Sequence, residues 1–301
     1  MGAWIKHPEN PVLGPGYTVQ ALFDCCVVPT GDTLRMWLSW RDLRSIALSE
    51  SADGARWTAP RVALEVDPSI PWERDDVNRP HVLRVGGTWY MWYTGQDREG
   101  GRSSIGLATS PDGIRWERVG AAPVLEAAGG WEKGSVMCPH VLHEAGRFRM
   151  WYSGGEMYEP DAIGYAESQD GIHWRREGAE PVLGAAGGWE ADRVTAACIV
   201  PHQGAYLAFY VGFARGFEDA AIGLARSADG ITGWERHPDN PIIRPGEPGT
   251  WDDCNVYKPY AAQFGGRWHL WYNASRHADR REQIGLATAG AIAWPGAPDP
   301  A

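Results

Sequence analysis

Short runs of alternating apolar and polar residues recur along the chain at a nearly fixed interval. Ile105–Trp116 reads IGLATSPDGIRW. Ile46–Trp57 (IALSESADGARW), Ile163–Trp174 (IGYAESQDGIHW) and Ile222–Trp234 (IGLARSADGITGW) repeat it, and Ile284–Ala289 (IGLATA) is a truncated fifth copy. The steps between the leading isoleucines are 59, 58, 59 and 62 residues, a period that marks a repeat architecture. In each copy the alternating run predicts a strand. The Asp-Gly that follows predicts a tight turn, and the residues up to the Trp open the next strand of a hairpin.

Two further strands precede each copy. The first set is Val77–Leu83, Val136–Leu142, Val194–Val200 and Val256–Ala262. The second is Leu34–Trp40, Trp89–Tyr93, Phe148–Tyr152, Tyr206–Tyr210 and Trp268–Tyr272. Four strands per repeat, five times over, predict an all-β, five-bladed β-propeller of four-stranded antiparallel blades. Residues 1–290 are expected to form this single domain, with 291–301 as a tail. Trp4–Leu13 (WIKHPENPVL) matches Trp234–Ile243 (WERHPDNPII), the outer strand of the fourth repeat and the link beyond it. The fifth repeat has no outer strand of its own, so the N-terminal segment is predicted to supply it and close the ring, removing two free edges.

A Trp eight residues before a marker position aligns the inner strands: Trp72 with Pro80, Trp131 with Pro139, Trp189 with Ala197 and Trp251 with Pro259. Tyr17 with Cys25 is the counterpart in the first repeat. The acid after each Trp (Glu73, Glu132, Glu190, Asp252) and the turn residues Asp53, Asp112, Asp170 and Asp229 recur in four copies, so they are assigned to the scaffold. The residues just before the marker differ in every repeat: Asp24, Arg79, Cys138, Ala196 and Lys258. Before them stand Phe23, Asn78, Met137, Thr195 and Tyr257, and earlier still Asp75-Asp76, Asp192-Arg193 and Asn255. Polar and charged residues at strand starts near an axis are costly as core filling unless paired or bound to a ligand. They are therefore the candidate site. The second-to-third-strand loops, which vary in sequence, lie at the same end.

The residue after the marker forms a deeper ring: Cys26, His81, His140, Cys198 and Tyr260. Cys and His are zinc-ligand types, and they also fill channels as hydrogen-bonded side chains. The second reading is preferred: no cofactor is expected, and a metal held near Cys26, His81, His140 and Cys198 is the alternative.

The seventeen Trp stand mostly at repeated positions and are read as blade packing. A net charge of -10 disfavours nucleic acid and anionic membranes as partners. Five Cys without framework spacing suggest reduced thiols. No apolar run is long enough to span a membrane, and Met1–Asn10 lacks the core of a secretion signal. A cytoplasmic setting is expected.

The linkers Asn10-Pro11-Val12-Leu13, Pro123-Val124-Leu125, Pro181-Val182-Leu183 and Asn240-Pro241-Ile242-Ile243, with MWYTG, MWYSGG and IGLATSPDGIRW, resemble the five-bladed propeller glycosidases: glycoside hydrolase families 43 and 32 and the family 130 phosphorylases. The resemblance spans nearly the whole chain and implies carbohydrate chemistry. In family 43 an Asp-Pro on the first blade is the general base, and Asp24-Cys25 falls there. A second Asp-Pro is expected where Cys138-Pro139 stands, and the acid's Glu-Gly-Pro where Thr195-Ala196-Ala197 stands, so the usual acid is not carried over. Asp75, Asp76, Asp192 and the loop residue Glu156 are the alternatives for a group to protonate a leaving oxygen. Asn78, Arg79, His81, His140, Arg193, Asn255, Tyr257 and Lys258 are expected to bind substrate. The expected function is a glycoside hydrolase-like enzyme cleaving a small oligosaccharide or glycoside in an axial funnel. The alternatives are a family 130-like phosphorylase, an enzyme of an anionic sugar, and a non-catalytic carbohydrate-binding propeller.

Overall fold

The computed structural model describes residues 4–14, 20–215, 219–292 and 294. Tyr17 and most of the expected 291–301 tail lie outside them. The chain is all-β. Two three-residue 3-10 turns are the helical content among the described residues, and no helix is long and apolar enough to cross a membrane.

A two-residue strand, β1 (Ile5–Lys6), is followed by antiparallel sets of four. The first is β2 (Leu22–Thr30), β3 (Thr33–Trp40), β4 (Ser45–Ser51) and β5 (Arg61–Glu65). The second is β6 (Asp76–Val85), β7 (Thr88–Asp97), β8 (Arg102–Ser110) and β9 (Glu117–Arg118). The third is β10 (Ser135–Glu144), β11 (Arg147–Glu156), β12 (Glu159–Ser168) and β13 (Arg175–Arg176). A single parallel pairing, Ser103 with Ser135, joins the second set to the third. The fourth is β14 (Arg193–His202), β15 (Ala205–Phe213), β16 (Ala221–Ser227) and β17 (Glu235–Arg236). The last sheet is β18 (Asn255–Phe264), β19 (Arg267–Ser275), β20 (Glu282–Ala289) and, as its outer strand, β1, with Ile5 opposite Thr288. Asn10 holds this segment in place. Its side-chain amide donates to Leu286 O and accepts from Leu286 N. Asn240 does the same with Leu224 in the fourth set, which explains the shared Asn in the two linkers.

The recurring residues have one physical role each. Trp72 stacks on Tyr93, and the same pair recurs as Trp131–Tyr152, Trp189–Tyr210 and Trp251–Tyr272. The Gly of each Ile-Gly run admits that Trp: a Cβ on Gly106 would lie 2.3 Å from the Trp72 ring. Tyr93 donates to the buried Glu73, which Arg118 also pairs. Glu132 has Tyr152 and Arg176, and Asp252 has Tyr272 and Lys6. Lys6 comes from β1 and takes the place that Arg118 and Arg176 hold on β9 and β13.

Candidate active site

Each first strand of a set breaks its register at one place, between Phe23 and Cys26, Asn78 and His81, Met137 and His140, Thr195 and Cys198, and Tyr257 and Tyr260. These are β-bulges. At each one a single residue sits in the left-handed region: Asp24 (φ 51), Arg79 (φ 52), Cys138 (φ 54), Ala196 (φ 51) and Lys258 (φ 48). None is Gly, so each position carries strain of roughly 1–2 kcal/mol. A neighbouring set offsets it by binding the bulged N–H. Arg79 N donates to Ser39 Oγ (2.8 Å), Cys138 N to Thr94 Oγ1 (3.1 Å), Ala196 N to Ser153 Oγ (2.8 Å) and Asp24 N to Asn273 Oδ1 (2.8 Å). Val211 stands at the corresponding place beside Lys258 and offers no hydroxyl.

All five bulge residues line one cavity of about 330 Å³. Its apolar wall includes Phe23, Met137, Val211 and Phe213. Its polar lining adds Arg41, Thr195, Asn255, Tyr257, Ser275, Arg280 and Glu282, with Tyr158 and Pro160 from the start of the third set's hairpin. Asp24 is 4% exposed and tightly held. Asn273 Nδ2 donates to its Oδ1 (2.6 Å) while Arg79 Nε lies 3.2 Å from its Oδ2. Asn273 thus grips both the backbone N–H and the carboxylate of Asp24, which a Ser or Thr at this place could not do. Arg79 also donates to Asn78 Oδ1 (2.7 Å). Across the cavity Glu282 pairs with Arg41 (2.8 Å); burial, then the nearby Glu282, pushes the Tyr257 phenol well up.

The structure gathers Asp24, Arg79, Asn255, Tyr257 and Lys258 from the expected set, with Asn78 behind Arg79. It does not bring the other candidate acids into the lining. Asp76 is buried beside the cavity, 3.7 Å from Arg98. Burial raises its pKa, and Arg79 and Arg98 act in the opposite direction. Asp75 Oδ2 accepts from Arg98 N in the loop after β7. Asp192 is exposed and paired with Arg193 (2.7 Å), and Glu156 is exposed, 3.6 Å from Lys133. The residues the sequence reading missed are Arg41, Glu282, Arg280, Tyr158 and Asn273. Their only signal was membership of, or closeness to, the variable loops.

Below the cavity the deeper ring is a set of inter-strand clamps. Cys26 Sγ contacts Val82 O and Val82 N, His81 Nε2 meets Val141 O, His140 Nε2 meets Ile199 O, and Cys198 Sγ contacts Ala261 O and N. The His81 and His140 rings meet at a tilt of 58° with centroids 4.3 Å apart. Burial holds His81 down to about 3 and His140 well below the ordinary value, so both rings are neutral. Among the described residues no group of three or more His, Cys, Asp and Glu is placed to hold a metal ion.

The fold is that of the propeller glycosidases. A thermostable family-43 glycoside hydrolase superposes with a TM-score of 0.76 at 19% identity, over 96% of this chain and 98% of the other. A structure described under the GH130 family of mannoside phosphorylases, containing glycoside hydrolases that target β-1,2 mannosidic linkages, gives 0.75 at 17%, over 99% and 96%. No family model matches the chain. In sequence it is 30% identical over 251 residues to "Uncharacterized protein Rv1502" of Mycobacterium tuberculosis (strain ATCC 25618 / H37Rv), covering 74% of this chain and 78% of that protein. The chain belongs to the same family as Rv1502. It is also 23% identical to the A type blood N-acetyl-alpha-D-galactosamine deacetylase of Flavonifractor plautii, over 90% of this chain but 40% of that protein.

Proposed function

We propose that the chain is a carbohydrate-active enzyme whose residues 1–290 form one five-bladed propeller, cleaving a small oligosaccharide or glycoside in the cavity at one end of its axis. The ring and its closure are supported by three links between the ends of the chain: β1 on β20, Asp24 N on Asn273, and Trp271 Nε1 on Gly54 O at 2.8 Å. A cytoplasmic setting is supported by five free, buried cysteines.

One observation carries the catalytic part. Asp24 is a buried carboxylate on a left-handed bulge, fixed by Asn273 and Arg79 and lining the cavity. A carboxylate held in place by an arginine and an amide is suited to take a proton from water or to orient a sugar hydroxyl. Asp76, raised by burial, lies outside the cavity lining, so no proton donor is assigned among the expected acids.

A second reading is favoured by a specific feature. Cys138 and Ala196 occupy the bulges where the glycosidase resemblance implies carboxylate-bearing motifs. Removal of a substituent from a sugar needs no acid on those strands, and one relative is named as an N-acetyl-galactosamine deacetylase. The test is turnover of a panel of oligosaccharides, glycosides and N-acetylated sugars, with and without phosphate, by the native protein and Asp24→Asn. Free sugar formed independently of phosphate identifies a hydrolase. Sugar 1-phosphate identifies a phosphorylase, and acetate identifies a deacetylase. Binding without any product identifies a lectin-like propeller and ends the enzymatic reading.

A further inference from the structure

The charges around the cavity do not balance. Arg41, Arg79, Lys258 and Arg280 line it, against Asp24 and Glu282. Arg79 is paired with Asp24 and Arg41 with Glu282. Arg280 is at the exposed rim, donating to Cys254 Sγ at 2.9 Å, where solvent screens it. Lys258 is different. It is 8% exposed, lines the cavity from its bulge, and among the described residues has no carboxylate within 4.0 Å and no hydrogen-bond partner for its ammonium. A buried cation without a counter-ion is costly and is kept where a ligand supplies the missing charge.

Resting on the carbohydrate reading above, we infer that Lys258 is the counter-ion for a carboxylate carried by the sugar itself, so that the substrate is a uronic acid or a uronate-bearing glycoside. The uncompensated charge at the buried end is a single one, which a carboxylate monoanion cancels. A phosphate group brings about −1.5 to −2 and would leave negative charge beside Asp24. Lys258 presents three donors from one point, while the apolar side made by Met137, Val211 and Phe213 suits the C–H face of a pyranose. The volume, about 330 Å³, is at the small end of ligand pockets, roughly 300–1,000 Å³, and fits one or two sugar rings.

The experiment is a titration of the full-length protein with glucuronic and galacturonic acids and with their neutral parents, glucose and galactose, at two salt concentrations. The expected result is at least about tenfold tighter binding of one acid over its parent. That preference should shrink in high salt, vanish in Lys258→Gln and be partly kept in Lys258→Arg. Equal binding of acid and parent by the native protein overturns the inference while leaving the carbohydrate reading intact. Saturable binding of inorganic phosphate that Lys258→Gln loses, with no preference for a uronate, also overturns it and assigns the site to phosphate. Binding of none of these sugars and of no member of the saccharide panel removes the carbohydrate reading itself. The native-protein comparison decides the matter even where Lys258→Gln fails to fold.

Discussion

The two ends of the strand sets are built on equally regular backbones but treat their side chains in opposite ways. At one end the Ser-x-Asp-Gly turns are nearly identical in four copies. Ser110 Oγ accepts from Asp112 N and Gly113 N, and Asp112 Oδ1 accepts from Ile114 N and Arg115 N. Ser51, Ser168 and Ser227 with Asp53, Asp170 and Asp229 do the same. The turn glycine's carbonyl then receives a Trp from the adjacent set: Trp37 on Gly113, Trp92 on Gly171, Trp151 on Gly230 and Trp271 on Gly54. At the other end the bulges are just as regular in φ, yet carry Asp, Arg, Cys, Ala and Lys. A repeat that keeps its geometry and changes its side chains has freed those positions from the scaffold. A repeat that keeps both has not.

The sharpest break in this division would come from the join between β1 and β20. Removing residues 1–13 takes away β1, exposes the edge of β20 and leaves Asp252 without Lys6. Loss of several hydrogen bonds, and of the partly exposed Lys6 that pairs with the buried Asp252, should cost roughly 3–5 kcal/mol or prevent folding. A truncated protein with an unchanged melting temperature would show that the ends of the chain do not support each other.

The layer between the two ends should respond to acid. His81 and His140 are neutral in the fold because burial depresses their pKa values. Unfolded, they bind a proton near pH 6.5. The unfolded chain therefore holds more protons below that pH. The stability is complete above pH 6.5 and falls by about 1.4 kcal/mol per pH unit for each ring, towards about pH 3 for His81. Denaturant titrations across pH 7 to 4 should show a slope shallower by one proton in His140→Gln. An unchanged slope would mean that the ring is hydrated.

At the turn end, Ser110→Ala removes the acceptor for two backbone N–H groups and should cost about 1 kcal/mol of stability with no change in turnover. A loss of activity at constant stability would make the turn face functional and merge the two ends.

The legibility of the chain in its sequence follows the same division. The four-stranded sets and the outer strand β1 were readable because each copy checks the others: Trp4–Leu13 matches Trp234–Ile243, and Lys6 falls where Arg236 does. Asp24, Arg79 and Lys258 were readable as departures from the repeat. The bulge itself was not, because Gly usually marks a positive φ and none of the five residues is Gly. Arg41, Glu282 and Arg280 reach the cavity from other strands and loops, so only the folded chain brings them to Asp24. Asn273 was hidden because its counterparts, Ser39, Thr94 and Ser153, look like ordinary strand residues until the bulged N–H they bind is seen.

The most direct test is the turnover number and melting temperature of Asp24→Asn, measured beside Ser110→Ala on whichever saccharide the native protein transforms. Asp24→Asn keeps the shape and the contact with Asn273 while removing the charge. If Asp24 is the base, turnover of the folded protein falls at least about a hundredfold, while the melting temperature falls only as far as Arg79's loss of its counter-ion takes it. Near-native turnover in Asp24→Asn, or a collapse of its stability with the residual folded protein fully active, would place Asp24 in the scaffold and the chemistry elsewhere.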